Sequence, residues 1–412
     1  MLRYGIIGGG FITGFHLRAL ETVRGIEVAG LVSASPPHAL AAQARARGLG
    51  EARVFDSVTQ MLPNVDVVAI FAPNFSRIEI MEQIAEAGGG HLKGLICEKP
   101  LGRNLREARR MVELADAIGA PTAYFENQVH MKALTRARAQ LQGVSQTMGP
   151  PVLVRSSEEH AGPHSAWFWD PTRQGGGVLS DMGCHSIAVG WYLLTPADRQ
   201  PDYLVPQTVL ADVGLLKWGQ PTWRSQLRDR HGVDYELSPA EDFATGMVTY
   251  RDPDSGAFSK GQFTVSWMYD KQGLRLLIDA IGPGYALEVN TLRSPLEVFV
   301  GDAAQVSLVD AESALEKATA SRGLLAIQPN EPDLYGYTDE HVDASMSFEA
   351  GRSALLDFRY GLAIVRLTMA GYLSAEEGRV VDLTDPDTQR RLDDYVPLIQ
   401  QGRGAEVFPG HR

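Results

Sequence analysis

Three side chains have the types and the setting for proton transfer. Lys99 lies in Gly-Leu-Ile-Cys-Glu-Lys-Pro (Gly94 to Pro100), directly after an apolar run. Asp181 and His185 lie in Gly-Gly-Gly-Val-Leu-Ser-Asp-Met-Gly-Cys-His (Gly175 to His185), spaced so that a helix would set both on one face. An ammonium, a carboxylate and an imidazole converging on one cleft can hold and move a proton near neutral pH. The motif Gly8-Gly9-Gly10-Phe11-Ile12-Thr13 says what that proton would accompany. A glycine-rich turn between a strand and a helix offers backbone N–H groups to a pyrophosphate, and so implies hydride exchange with a nicotinamide.

In that turn Gly8 permits the tight bend, Gly10 lets the backbone approach phosphate, and Phe11 and Ile12 open the helix. Thr13 replaces the third glycine of the G-x-G-x-x-G pattern, with Gly14 just after. The second strand ends Leu31-Val32-Ser33-Ala34-Ser35, which leaves Ser33 where an acidic residue would bond the adenosine ribose. No carboxylate there repels a 2′-phosphate and no arginine or lysine follows closely, so NAD and NADP both stay open.

The elements that must position these groups can be read from hydrophobic period. Strands at Arg3 to Ile7, Ile26 to Val32, Val65 to Phe71, Leu92 to Cys97 and Thr122 to Phe125 alternate with helices at Phe11 to Val23, Pro36 to Arg47, Ser76 to Ala87 and Asn104 to Ile118. Repeated βα units predict a doubly wound parallel sheet. Beyond residue 128 the pattern becomes a helix from Met131 to Gln142, then strands from Pro151, Gln207, Phe243, Phe258, Leu274 and Ala286, then helices at Thr338 to Glu349 and Ala354 to Leu373. The expectation is therefore an α/β domain at 1–128 and an α+β domain at 129–412 with a large, open, mostly antiparallel sheet. Lys217 to Pro239 and much of Val300 to Gly336 read as irregular excursions, and the last dozen residues as a loose tail.

A net charge of −12 over 412 residues argues against nucleic acid and anionic membrane surfaces as partners. The two cysteines, Cys97 and Cys184, have no metal-ligand spacing and read as small buried fillers, so no metal is expected. The N-terminus runs straight into a strand and no apolar run reaches membrane length, which points to the cytoplasm.

Taken together, Gly8 to Ile12 with His16 downstream, Ala72-Pro73-Asn74, Cys97-Glu98-Lys99-Pro100 and Gly175 to His185 resemble the Gfo/Idh/MocA oxidoreductases. The resemblance covers most of the length. It implies an N-terminal Rossmann domain, Lys99, Asp181 and His185 as the catalytic groups, and Pro73, Asn74, Glu98 and Lys99 beside the cofactor; Asn127, where the Rossmann half closes, is expected to reach the same cleft. Arg77 stands where the family often carries a histidine. The resemblance also implies pairing through the antiparallel sheet, as a homodimer or homotetramer.

The segment Glu158 to Asp170 mixes imidazoles, indoles and carboxylates, as sugar recognition requires, and offers His160, His164, Trp167 and Trp169 to a carbohydrate-like substrate. Packed aromatic anchors of the loop are the competing reading for the two tryptophans. The function expected is an NAD(P)-dependent oxidoreductase acting at a secondary hydroxyl or ketone of a sugar, glycoside or cyclitol. Two rivals are a lyase or glycosidase that oxidises transiently with retained NAD, and a non-catalytic nucleotide sensor.

Overall fold

The computed structural model describes residues 1–271, 273–291 and 330–408, together with the backbone of 296–300 and 323–327. They fall into two compact units. The first unit comprises Met1–Thr135, Pro332–Arg366 and Asp393–Tyr395, so it takes in late stretches of chain as well as the amino-terminal one. The second comprises Arg136–Glu331, Leu367–Leu392 and Val396–Arg412.

In the first unit, β1 (Leu2–Ile7), β2 (Ile26–Val32), β3 (Arg53–Val54), β4 (Val67–Ile70), β5 (Gly94–Glu98) and β6 (Thr122–Phe125) form one sheet in the order β3-β2-β1-β4-β5-β6. Every pairing is parallel. β4 and β5 are buried at every position, as strands covered by helices on both faces must be. The order reverses at β1, so Gly8 to Gly10 emerge at the switch point where such sheets bind ligands. The helix Leu105–Ile118 shows how locally this half is encoded. Leu105, Ala108, Met111, Val112, Ala115 and Ile118 bury one stripe, Asn104 caps the Glu107 N–H at 3.0 Å, and Gly119 ends it at φ +77°. The late helix Tyr337–Glu349 closes the same core through Ala344 and Phe348.

In the second unit, β7 (Leu153–Glu159), β8 (Val205–Gly214), β9 (Phe243–Arg251), β10 (Phe258–Ser266), β11 (Arg275–Gly282) and β12 (Tyr285–Asn290) are joined by a final short strand. After the two-stranded ladder β13 (Leu296–Val300) and β14 (Gly323–Ile327), that strand is β15 (Val381–Asp382). The sheet order is β12-β11-β7-β10-β9-β8-β15, antiparallel except for β7 with β10. The helix Cys184–Leu194 is buried along its whole length, and its Gly190 meets Gly261 of β10 closely enough that an added Cβ would lie 3.8 Å from the Gly261 Cα.

Two sequence expectations change. Lys217 to Pro239 contains a helix, Pro221–His231, begun by proline and closed by Gly232 at φ +67°. Its surface is polar nearly all round, with only Leu227 buried, so no hydrophobic period announced it. The end of the chain is partly seated: Gly404 and Phe408 are buried, and a Cβ at Gly404 would meet the Pro239 carbonyl at 2.0 Å. Most of the Val300 to Gly336 excursion lies outside the described residues. Among the described residues no helix is long and apolar enough to cross a membrane.

Candidate functional site

The nucleotide loop has the shape its glycines require. Gly8 sits at φ +149°, and a Cβ there would meet the Phe71 carbonyl at 2.7 Å, so this glycine lets the ends of β1 and β4 close on each other. Around Gly10 the space is open, with nothing within 4 Å of an added Cβ. Gly10 is the N-cap of the helix Phe11–Leu20, which has no side-chain cap and no acidic residue in its first turn. The positive end of its dipole and the open space at Gly10 suit an anion, and the site fits a pyrophosphate. Phe11 is exposed and Ile12 half-buried at this mouth. Ser33 stands against the loop, its Oγ 2.5 Å from where a Gly9 Cβ would be.

Lys99 follows β5 directly, and its backbone is gripped from two sides. Glu98 Oε2 accepts from the Lys99 N–H at 3.0 Å. Arg77, buried, donates Nε to the Ala72 carbonyl at 3.0 Å. Its other nitrogens donate to the carbonyls of Glu98 at 2.5 Å, Lys99 at 3.2 Å, and Pro100. One guanidinium therefore ties the Ala72-Pro73-Asn74 loop to the loop of Lys99. The position that departs from the family pattern works on the backbone of both loops. The Lys99–Pro100 peptide is cis.

Behind this loop Glu98 Oε1 lies 3.0 Å from His16 Nε2, and His16 Nδ1 lies 3.0 Å from His341 Nε2. Phe71 stacks on His16 at 3.8 Å between centroids. Burial opposes the charge of Glu98, but the bond and charge of His16 with the charges of Lys99 and Arg77 hold its carboxyl below the ordinary range. Burial, reinforced by Glu98 and Glu126, pushes Glu340 well above that range. His16, Glu98 and Glu340 bring donor atoms within 4.8 Å of one another, a spacing a cation could use. His16 Nε2 and Glu98 Oε1 already pair with each other there. Asn74 and Asn127 are both buried, with Asn127 Nδ2 donating to the Tyr335 carbonyl at 2.8 Å. Cys97 and Cys184 are buried free thiols, and burial pushes Cys97 up to about 11 despite the nearby Arg77 charge.

In the second unit Asp181 and His185 are buried, at 5% and 4% exposure, on consecutive helical turns. The expected α-helical spacing is modified: Leu179–Gly183 is a π-turn, and the α-helix begins at Cys184. Such turns insert one residue and commonly mark functional sites. The preceding glycines are obligatory. A Cβ at Gly176, φ +151°, would meet the Tyr372 hydroxyl at 2.0 Å, and one at Gly177 the Glu241 carbonyl at 2.2 Å.

The aromatic segment divides. Trp169 is 1% exposed, donates Nε1 to the Pro163 carbonyl at 3.2 Å, and packs edge-on against Trp218 and Trp267 at 4.7 and 5.0 Å. It is a core anchor, which corrects its expected place among the substrate contacts. His160 is buried and accepts the Gly162 N–H at Nδ1, which makes it a loop-shaping residue as well. Trp167, stacked on Phe168 at 3.8 Å, is half-buried and His164 is exposed, so these two keep accessible faces.

This fold and these two groups of residues define a nucleotide-binding oxidoreductase scaffold. Residues 2–125 match the oxidoreductase family with an NAD-binding Rossmann fold, and residues 136–279 match the GFO/IDH/MocA C-terminal domain. The chain belongs to the Gfo/Idh/MocA family. It is 25% identical to glucose-6-phosphate 3-dehydrogenase of Bacillus subtilis over 47% of this chain and 54% of that protein. It is 28% identical to levoglucosan dehydrogenase of Pseudarthrobacter phenanthrenivorans over 66% of this chain and 72% of that one. The chain spans about half the length of most curated relatives it matches. The crystal structure of GenD2 from gentamicin A biosynthesis in complex with NAD shares the fold, with a TM-score of 0.72 at 22% identity over 93% of this chain and 96% of that one.

Proposed function

We propose that this protein is an NAD-dependent dehydrogenase or reductase acting at one secondary hydroxyl or ketone of a sugar, sugar derivative or cyclitol. The observation that carries the reading is the fixed setting of Lys99, its backbone held by Arg77 and Glu98 at the end of β5 in an NAD-binding Rossmann domain. NAD rather than NADP is favoured because residues 2–125 match an NAD-binding Rossmann family, and because the structurally similar GenD2 holds NAD. The bound nicotinamide supplies the hydride acceptor or donor.

The protein's own groups handle the rest. The Lys99 ammonium donates to the substrate oxygen as negative charge develops there. The His185 imidazole takes or returns the hydroxyl proton, and Asp181 orients it or binds a neighbouring hydroxyl. Water is limited around both, since each is nearly fully buried. Trp167 and His164 serve the sugar face. The named substrates of the relatives, glucose 6-phosphate and levoglucosan, support the carbohydrate class. Assembly into a homodimer or homotetramer is part of the proposal. It draws on the exposed apolar side chains Leu210 and Phe258 of the sheet, and is read by light scattering.

The test is nicotinamide absorbance with NAD and NADP against sugars, glycosides, inositols and levoglucosan. Turnover lost in Lys99→Met and His185→Gln, with the fold intact, supports the reading. Absence of turnover across the panel, or sugar cleavage without net NADH, overturns it.

A further inference from the structure

An α-helical start leaves its first four N–H groups without partners inside the helix. At the turn that opens the Asp181–His185 segment these belong to Gly177, Val178, Leu179 and Ser180. The Asp181 N–H is the first to bond back along the turn, to the Gly177 carbonyl at 3.1 Å. All four are taken by two residues distant in sequence. Glu241 Oε1 accepts from the N–H groups of Gly177 at 2.9 Å and Leu179 at 3.0 Å. The Glu241 main-chain carbonyl accepts from Val178 at 3.1 Å. The Tyr372 hydroxyl accepts from Ser180 at 3.1 Å and shares Gly177 at 3.2 Å, while donating its own proton to Glu241 Oε1 at 2.5 Å.

Glu241 and Tyr372 are each fully buried, so water does not compete for these bonds. The bare backbone at Gly176 and Gly177 is what lets the pair approach. The turn they hold is the π-turn Leu179–Gly183, whose extra residue sets how Asp181 is rotated relative to the α-helix that begins at Cys184. A turn of this kind can relax to α by slipping one residue. Pinning every leading N–H group blocks that slip.

We propose that Glu241 and Tyr372 are positioning residues, a buried acceptor pair that fixes the register of the π-turn and thereby the directions in which Asp181 and His185 face. The proposal rests on the reading of Asp181 and His185 given above.

Tyr372→Phe removes one hydroxyl and keeps the ring. The His185 imidazole resonance, assigned by its loss in His185→Gln, is expected to titrate with a midpoint displaced by at least about half a pH unit. With NAD and the best sugar of the panel, kcat is expected to fall about tenfold while the dissociation constant for NAD, measured by fluorescence, stays unchanged. Glu241→Gln keeps an acceptor oxygen and is expected to remain within about threefold of the parent, whereas Glu241→Asp, which withdraws the acceptor, falls with Tyr372→Phe. An unchanged His185 midpoint and unchanged kcat in Tyr372→Phe, or in Glu241→Asp should the first not fold, overturns the proposal alone. Full activity in Asp181→Asn and His185→Gln overturns the site assignment and the proposal with it.

Discussion

The Arg77 guanidinium donates to the main-chain carbonyl of Lys99 at 3.2 Å, and the same fork grips the carbonyls on either side of it. A buried cation that donates to four carbonyl oxygens is a device for holding backbone. Its planar geometry suits the task better than a point charge would.

Arg77→Met should therefore leave the carbonyls of Ala72, Glu98, Lys99 and Pro100 short of a buried donor. The expected loss is about 3 kcal/mol of unfolding free energy, read by chemical denaturation, with weaker NAD binding. A variant as stable as the parent would show that the fork is dispensable.

Two glycines that look alike in sequence should behave oppositely. Gly10→Ala places its methyl in open space, so unfolding should change by less than about 0.5 kcal/mol while NAD affinity falls about tenfold, because the methyl stands where phosphate approaches. Gly176→Ala drives a Cβ to 2.0 Å from the Tyr372 hydroxyl at a positive φ, and should cost more than about 2 kcal/mol. Calorimetry and a fluorescence titration of each variant separate the cases.

Glu241 makes stability depend on pH. Burial pushes its carboxyl up to about 7, against the pull of the Tyr372, Gly177 and Leu179 hydrogen bonds. A raised value means that the folded state binds the proton more tightly than the unfolded one. The stabilisation is full below the ordinary value of 4.5 and is lost as pH rises through about 7. The unfolding free energy of the parent, taken relative to that of Glu241→Gln, should fall by about 3 kcal/mol from pH 4.5 to pH 8. A flat difference curve would show that the acid is ionised throughout.

Trp169→Ala removes a fully buried indole and should destabilise by about 4 kcal/mol. Trp167→Ala, from a half-buried site, should leave the melting temperature nearly unchanged and raise KM for the sugar several-fold without a matching fall in kcat. A change in melting temperature for Trp167→Ala alone would reverse these roles.

What could be read from the sequence was what is local. The bounds of β2 and β6 came out as expected, because short runs rich in β-branched, aromatic and other apolar residues leave little freedom. The helix Pro221–His231 was not legible, since an element with one buried residue carries no period, although its opening proline and closing Gly232 were available as signals. Glu241 and Tyr372 escaped notice because they lie 64 and 195 positions from the Gly177 they hold. His341, 325 positions from its partner His16, escaped for the same reason. Trp169 and Trp167 are the same residue type two positions apart, and only packing separates an anchor from an accessible face.

The amino-terminal sheet is closed by the helix Tyr337–Glu349, whose Ala344 and Phe348 sit in its core and whose His341 meets His16. On the ribosome that helix appears only after the whole stretch Arg136–Glu331 has been made. The nascent nucleotide domain must therefore wait with an unfinished hydrophobic wall. Chaperone demand should be set by this delay, and a fragment cut near residue 128 should be sticky rather than a self-sufficient cofactor binder.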